Sequence, residues 1–187
     1  MKRRIALGAM AAGGWMVLQT PALAQVAADL PLFLRKGGCV VILRHAQTAP
    51  GLGDPPNFRI DQCSTQRNLS EKGRAQARHI GQWFTTHDLQ ARAVYSSAWC
   101  RCKETADLAF SRHTVLPLLN STFNDRTNQP DATKELSVRL AAVPTGQFEV
   151  WVTHQVNILS LTGEDPAMGE AFIVHSDGKI RTRTYFG

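Results

Sequence analysis

Three apolar runs of this 187-residue chain end in residues able to handle a phosphoryl group. Cys39-Val40-Val41-Ile42-Leu43 closes on Arg44-His45, and Phe148 to Thr153 closes on His154. The third, Ala93-Val94-Tyr95, leads into Ser96-Ser97 and a predicted helix with Arg101 near its first turn. Two guanidiniums can grip phosphate oxygens through bidentate, charge-assisted hydrogen bonds. The start of a helix near Ala98 adds backbone N–H donors. A neutral imidazole can attack phosphorus and carry the phosphoryl group covalently. A second imidazole can stabilise charge on the equatorial oxygens. One histidine at a strand end is more often packing or solvation. Two of them, one directly preceded by arginine, make a constellation. His79, His87, His113 and His175 lack that setting and are read as surface residues.

The elements around these residues follow from periodicity and punctuation. The run Cys39–Leu43 is continuous, β-branched and entered through Gly37-Gly38, as expected of a strand buried on both faces. The stretch from Ala46 to Gln66 holds Pro50, Gly51, Gly53, Pro55 and Pro56, which makes a long loop of the kind that carries function. Ser70 can cap a helix reaching about Phe84, with Ala77, Ile80 and Phe84 on one face. A second helix is expected over Ala98–Phe110, a short strand over Val115–Leu119, and a helix from Pro130 to about Val143. Phe148–Thr153 is a further strand and Val156–Leu161 starts another helix. Two final runs, Ala171–Val174 and Lys179–Tyr185, flank the hairpin signal Asp177-Gly178. Strands alternating with helices predict a three-layer α/β/α sandwich with a mostly parallel central sheet and an antiparallel pair at its end. Ligand sites of such sheets lie beyond the C-terminal strand ends, so Arg44, His45, Arg101 and His154 should converge in one pocket.

Residues 1–24 read as an address. Lys2-Arg3-Arg4 precede an uncharged run, Ile5 to Leu18, and Ala22-Leu23-Ala24 offers small residues at a cleavage site. The run is short for a bilayer span. The expected mature unit is residues 25–187, a single domain, periplasmic or secreted, with no stable membrane anchor after cleavage. Removing the leader takes the formal net charge from +6 to +3, because it holds three cations and no anions. No basic patch with interleaved aromatics points to nucleic acid. A hydrophobic fraction of 43% against 19% charged excludes a disordered chain. Export also places Cys39, Cys63, Cys100 and Cys102 in an oxidising compartment. Cys39 lies in the apolar run and reads as a buried thiol. Cys63, in the loop, is expected to bridge to Cys100 or Cys102, which bracket Arg101.

Four segments together resemble the histidine phosphatase superfamily, in its phosphoglycerate mutase-like branch. They are Leu43-Arg44-His45-Ala46-Gln47-Thr48, Leu69-Ser70-Glu71-Lys72-Gly73-Arg74-Ala75-Gln76-Ala77, the block from Val94 to Ala106, and Thr153-His154-Gln155-Val156-Asn157-Ile158. They occur in the family's order. The resemblance implies a phosphoglycerate mutase-like fold and an exported phosphatase that hydrolyses a phosphate ester through a phosphohistidine on His45. Arg44, Arg101 and His154 would hold the phosphoryl group, with Gln155 beside them. No metal and no cofactor is implied. Ala46, Ala98 and Thr153 stand where the family has glycine, proline and glycine. The segment Leu119–Arg126 lacks the familiar acidic motif, which leaves Asp125 as the candidate proton donor. The family usually has a small buried residue at the place of Cys102, which favours Cys100 as the partner of Cys63. The expected substrate is a small phosphorylated molecule, and the compartment fits an envelope sugar phosphate. The alternatives are a phosphohistidine phosphatase and a catalytically weak module that only binds a phosphate ligand.

Overall fold

A computed structural model describes residues 22–186, with side chains of the first helix described from Asp29 onward. Residues 1–21, which hold most of the expected leader, lie outside the described residues. Among the described residues, five α-helices and six strands follow in the order α1 Ala22–Lys36, β1 Cys39–Arg44, α2 Glu71–Thr86, β2 Ala93–Ser96, α3 Cys100–Phe110, β3 Thr114–Val115, α4 Gln129–Ala141, β4 Phe148–Thr153, α5 Gln155–Thr162, β5 Glu170–His175 and β6 Ile180–Tyr185. One six-stranded sheet takes the order β3-β2-β4-β1-β5-β6. β3, β2, β4 and β1 run parallel, and β5 pairs antiparallel with both β1 and β6.

Alternation along β1 divides the core into two layers. Cys39, Val41 and Leu43 face Leu30 and Leu34 of α1, Ile80 and Phe84 of α2, and Cys102 and Ala106 of α3. Val40 and Ile42 face the other way, into a cluster with Leu136 and Leu140 of α4 and Ile158 of α5. Helices therefore cover both faces, and the architecture is the expected three-layer α/β/α sandwich.

Two differences from the sequence reading stand out. The run Val115–Leu119 is not one strand: β3 stops at Val115, and Pro117–Leu119 forms a tight 3-10 turn. Proline has no N–H for a ladder, so Pro117 ends the pairing. Helix α1 was not expected. It buries Leu30 and Leu34 one turn apart despite Pro31 within it.

Candidate active site

Sheet register places the two histidines. β1 and β4 are adjacent parallel strands, with Arg44 opposite Thr153. The next residue on each strand is a histidine, and the His45 N–H donates to the Thr153 carbonyl at 3.0 Å. On the other side of β4, Ser96 lies opposite Val152, and the Ser97 N–H donates to the Val152 carbonyl at 3.0 Å. His45, His154 and Ser97 thus emerge side by side at the C-terminal ends of three strands, where the fold places ligands.

Local contacts then fix the segment after β1. The Ala46 N–H donates to Thr105 Oγ1 at 3.0 Å, and that hydroxyl donates to the Arg101 carbonyl at 2.7 Å, which ties the segment to α3. Helix α2 begins at the Ser70 cap, whose Oγ accepts the Gly73 N–H at 3.1 Å. A side chain at Gly73 would collide with the Gln47 backbone, its Cβ falling 1.8 Å from the carbonyl oxygen. Gly169, with φ +77°, turns its N–H onto the carbonyls of Arg44 and His45, at 3.2 and 3.0 Å.

These elements surround a cavity of about 270 Å³ whose lining includes Arg44, His45, Arg101 and His154. The four residues read from the strand ends do converge. His45 and His154 are 2% and 4% exposed, with ring centroids 5.6 Å apart and planes at 68°. His45 Nδ1 lies 2.9 Å from the Ala46 carbonyl, which can only accept. Nδ1 therefore carries the proton, and Nε2 keeps a lone pair. Burial, and then the charge of Arg101, push His45 down to about 3, so its imidazole is neutral in ordinary buffers. Burial, followed by the neighbouring His45 and the arginines, holds His154 well below the usual histidine range. His154 Nε2 sits 2.8 Å from Ser97 Oγ, which also lies 3.3 Å from Asn120 Oδ1 and accepts the Trp99 N–H at 3.2 Å.

The cations are held by their far ends. Arg44 Nη1 donates to the Pro166 carbonyl at 2.8 Å and Arg101 Nη1 to Asp54 Oδ1 at 2.7 Å. A third cavity arginine, Arg67, donates from Nη1 to the Gly51 carbonyl at 2.6 Å. All three leave a buried Nε with no partner among the described residues. Buried donors are rarely left so, and all three residues line the cavity, which gives it a strongly cationic wall. Burial lowers Arg44 and Arg67 from the usual guanidinium value.

Gln155 lines the cavity from the first turn of α5, with Nε2 donating to Asp165 Oδ1 at 2.6 Å. Asp125 also lines it, but from an exposed turn in which Oδ1 accepts the Thr127 N–H at 2.9 Å. That hydrogen bonding lowers its carboxyl from the usual value, the opposite of what a proton donor needs. Asp54 and Arg67 escaped the sequence reading. Both sit in the irregular loop between β1 and α2, where no periodicity aims a side chain. The available signal was their presence in the long, Pro- and Gly-rich stretch. Among the described residues, no group of three His, Cys, Asp or Glu is placed to hold a metal ion.

Cys63 and Cys100 are bridged, with Cα atoms 5.6 Å apart. Cys39 and Cys102 are free and buried, and burial pushes each thiol up to about 12. The bridge fastens the far end of the loop to the start of α3. Beside it, the Cys100 N–H donates to Gln66 Oε1 at 3.0 Å.

Two buried histidines at the ends of adjacent parallel strands, with three arginines lining the same cavity, define a cationic pocket in an α/β fold. Residues 40–128 match the family model for the histidine phosphatase superfamily, branch 1. No curated protein sequence matches it. Among solved structures, it is similar to phosphoglycerate mutase from Thermus thermophilus, with 19% identity, a TM-score of 0.56, and coverage of 80% of this chain and 99% of that one. TTHB049 from the same organism gives 19% identity and a TM-score of 0.55, over 79% of this chain and 99% of that one. The protein histidine phosphatase SixA complexed with tungstate gives 17% and 0.53, over 79% and 96%. These likenesses establish a phosphoglycerate mutase-like fold.

Proposed function

We propose that the chain is an exported phosphatase, periplasmic or secreted, that hydrolyses a small phosphate monoester through a phosphohistidine on His45. The observation that carries this reading is a neutral, buried His45 with its Nε2 lone pair free, in a cavity lined by Arg44, Arg67, Arg101 and His154. In the first step Nε2 attacks phosphorus. The N–P bond forms as the bond to the leaving oxygen breaks, and that oxygen departs with the electron pair. The arginines and His154 stabilise the equatorial oxygens. In the second step water attacks phosphorus, the P–N bond breaks, and inorganic phosphate leaves, its proton lost to solvent. Export is supported by the leader-like residues 1–24. An envelope sugar phosphate suits that compartment, and the aromatic side chains of Phe58, Trp99 and Phe123 along the cavity give a ring something to pack on.

One observation favours a second reading, a phosphohistidine phosphatase. Both carboxylates lining the cavity are committed: Asp54 to Arg101, Trp99 and the Arg67 N–H, and Asp125 to Thr127. Neither is set to protonate an alkoxide, whereas an N-linked phosphoryl group leaves more readily. A screen of the protein lacking residues 1–24 over sugar phosphates, nucleotides and phosphohistidine separates the two. Release of phosphate from sugar phosphates is expected. Release from phosphohistidine alone would replace the first reading with the second.

A further inference from the structure

We propose that Asp54 is a positioning residue for the phosphoryl clamp, aligning Arg101 so that its remaining donors serve a phosphoryl oxygen; this rests on the phosphatase reading of the cavity. The carboxylate joins the returning limb of its own loop to the start of α3. Oδ1 accepts from Arg101 Nη1 at 2.7 Å and from the Arg67 N–H, on the returning limb of the same loop, at 3.0 Å. Oδ2 accepts from Trp99 Nε1 at 2.9 Å, in the turn just before α3.

The chemistry of each partner gives the arrangement its consequence. A guanidinium is planar, so a short charge-assisted bond at one Nη, anchored by a carboxylate that cannot itself rotate, sets the plane of the whole group. The two side chains are 5% exposed each, so neither is steadied or replaced by solvent. Arg101 Nε is buried and has no partner among the described residues. One edge of the guanidinium is thus spent on Asp54, and among the described residues no group engages Nη2. Arg101 also sits near two other cations, Arg44 and Arg67. Without a counter-charge, a desolvated guanidinium among like charges would swing toward any nearby acceptor.

The loop delivers the carboxylate. It leaves and returns through a bridge between Thr48 and Leu69, with the Ala49 N–H donating to the Asn68 carbonyl at 3.0 Å. The Cys63–Cys100 bridge holds its far side against α3. Asp54 is therefore fixed on the same helix start that carries Arg101, and a loop chosen only to cover the cavity would not need an acid there. Asp54 is not the proton donor. Burial raises its carboxyl, but the Arg101 hydrogen bond and the other donors outweigh it, and the net shift is downward.

A double-mutant cycle on the mature protein tests the assignment. Binding of inorganic phosphate by calorimetry and kcat/KM for 4-nitrophenyl phosphate are measured for wild type, Asp54→Ala, Arg101→Ala and the pair. If Asp54 acts through Arg101, each single change lowers both quantities on the order of 100-fold. The pair is then no worse than Arg101→Ala to within about twofold. A loss from Asp54→Ala that persists at full size in the Arg101→Ala background overturns the proposal, as does a single variant within about twofold of wild type. Should Asp54→Ala fail to fold, Asp54→Asn keeps the shape and an acceptor while removing the charge, and the same criteria apply. A wild-type protein that binds phosphate but turns over no monoester would retire the phosphatase reading, and the binding arm would still decide the role of Asp54.

Discussion

The imidazoles of His45 and His154 meet edge to face, with centroids 5.6 Å apart, because Arg44 and Thr153 are register partners on adjacent parallel strands. The pair comes from the sheet, not from a flexible loop, so its geometry is as rigid as the core beneath it. It is also buried beside three arginines, which forces both rings toward the neutral form. A neutral nucleophile beside a cationic clamp is what attack on a phosphoryl anion requires.

That neutrality has a cost at acid pH. In the unfolded chain His45 gains a proton below the ordinary value of 6.5, whereas the folded protein resists until about 3. The unfolded state then binds more protons, so stability is complete above 6.5 and falls as pH drops through this window. Each such histidine contributes a slope of up to about 1.4 kcal/mol per pH unit. Urea midpoints between about pH 7 and about pH 5 should fall less steeply for His45→Gln than for wild type. Equal slopes would show that His45 titrates normally in the fold.

Arg101→Lys keeps the charge and loses the planar fork. One ammonium cannot hold Asp54 and a phosphoryl oxygen in the same fixed geometry. The expected loss in kcat/KM corresponds to about 2–4 kcal/mol of transition-state stabilisation. A kcat/KM close to wild type would remove Arg101 from the phosphoryl site.

Leaving-group dependence should be steep. With Asp54 and Asp125 both committed as acceptors, alkyl phosphates should react far more slowly than 4-nitrophenyl phosphate, whose leaving group is stable as an anion. Asp125→Asn should leave the ratio of the two rates unchanged. A selective slowing of the alkyl phosphate would make Asp125 the proton donor after all.

The strand ends were legible because each is a local pattern: an apolar run, then Arg44-His45 or His154, with Ser70 capping the helix that follows the first. The 3-10 turn at Pro117–Leu119 was misread because Leu118 and Leu119 extend the apolar run past the proline that breaks it. The ion pair between Asp54 and Arg101 was not legible. It joins residues 47 apart in sequence, across a loop with neither period, and only the folded chain selects that partner. The Cys63–Cys100 bridge was narrowed to two choices by position alone and to one by the family pattern.

Breaking that bridge should loosen both loop and fold. Chain-entropy arguments give about 3–4 kcal/mol for a ring of this size, less any strain. Cys63→Ala with Cys100→Ala should lower the urea midpoint accordingly, while mild reductant acts on wild type in the same direction. An unchanged midpoint in both experiments would mean that the bridge does not form in solution.

The most direct test of the covalent mechanism is trapping of the intermediate without an acid quench. The mature protein is mixed with phosphorus-labelled 4-nitrophenyl phosphate, denatured in alkali, where phosphohistidine survives, and mapped by peptide. Label on His45 of the wild-type protein, with none in His45→Ala and no turnover by that variant, is the predicted result. Appreciable turnover by His45→Ala, or label on another residue, would contradict it.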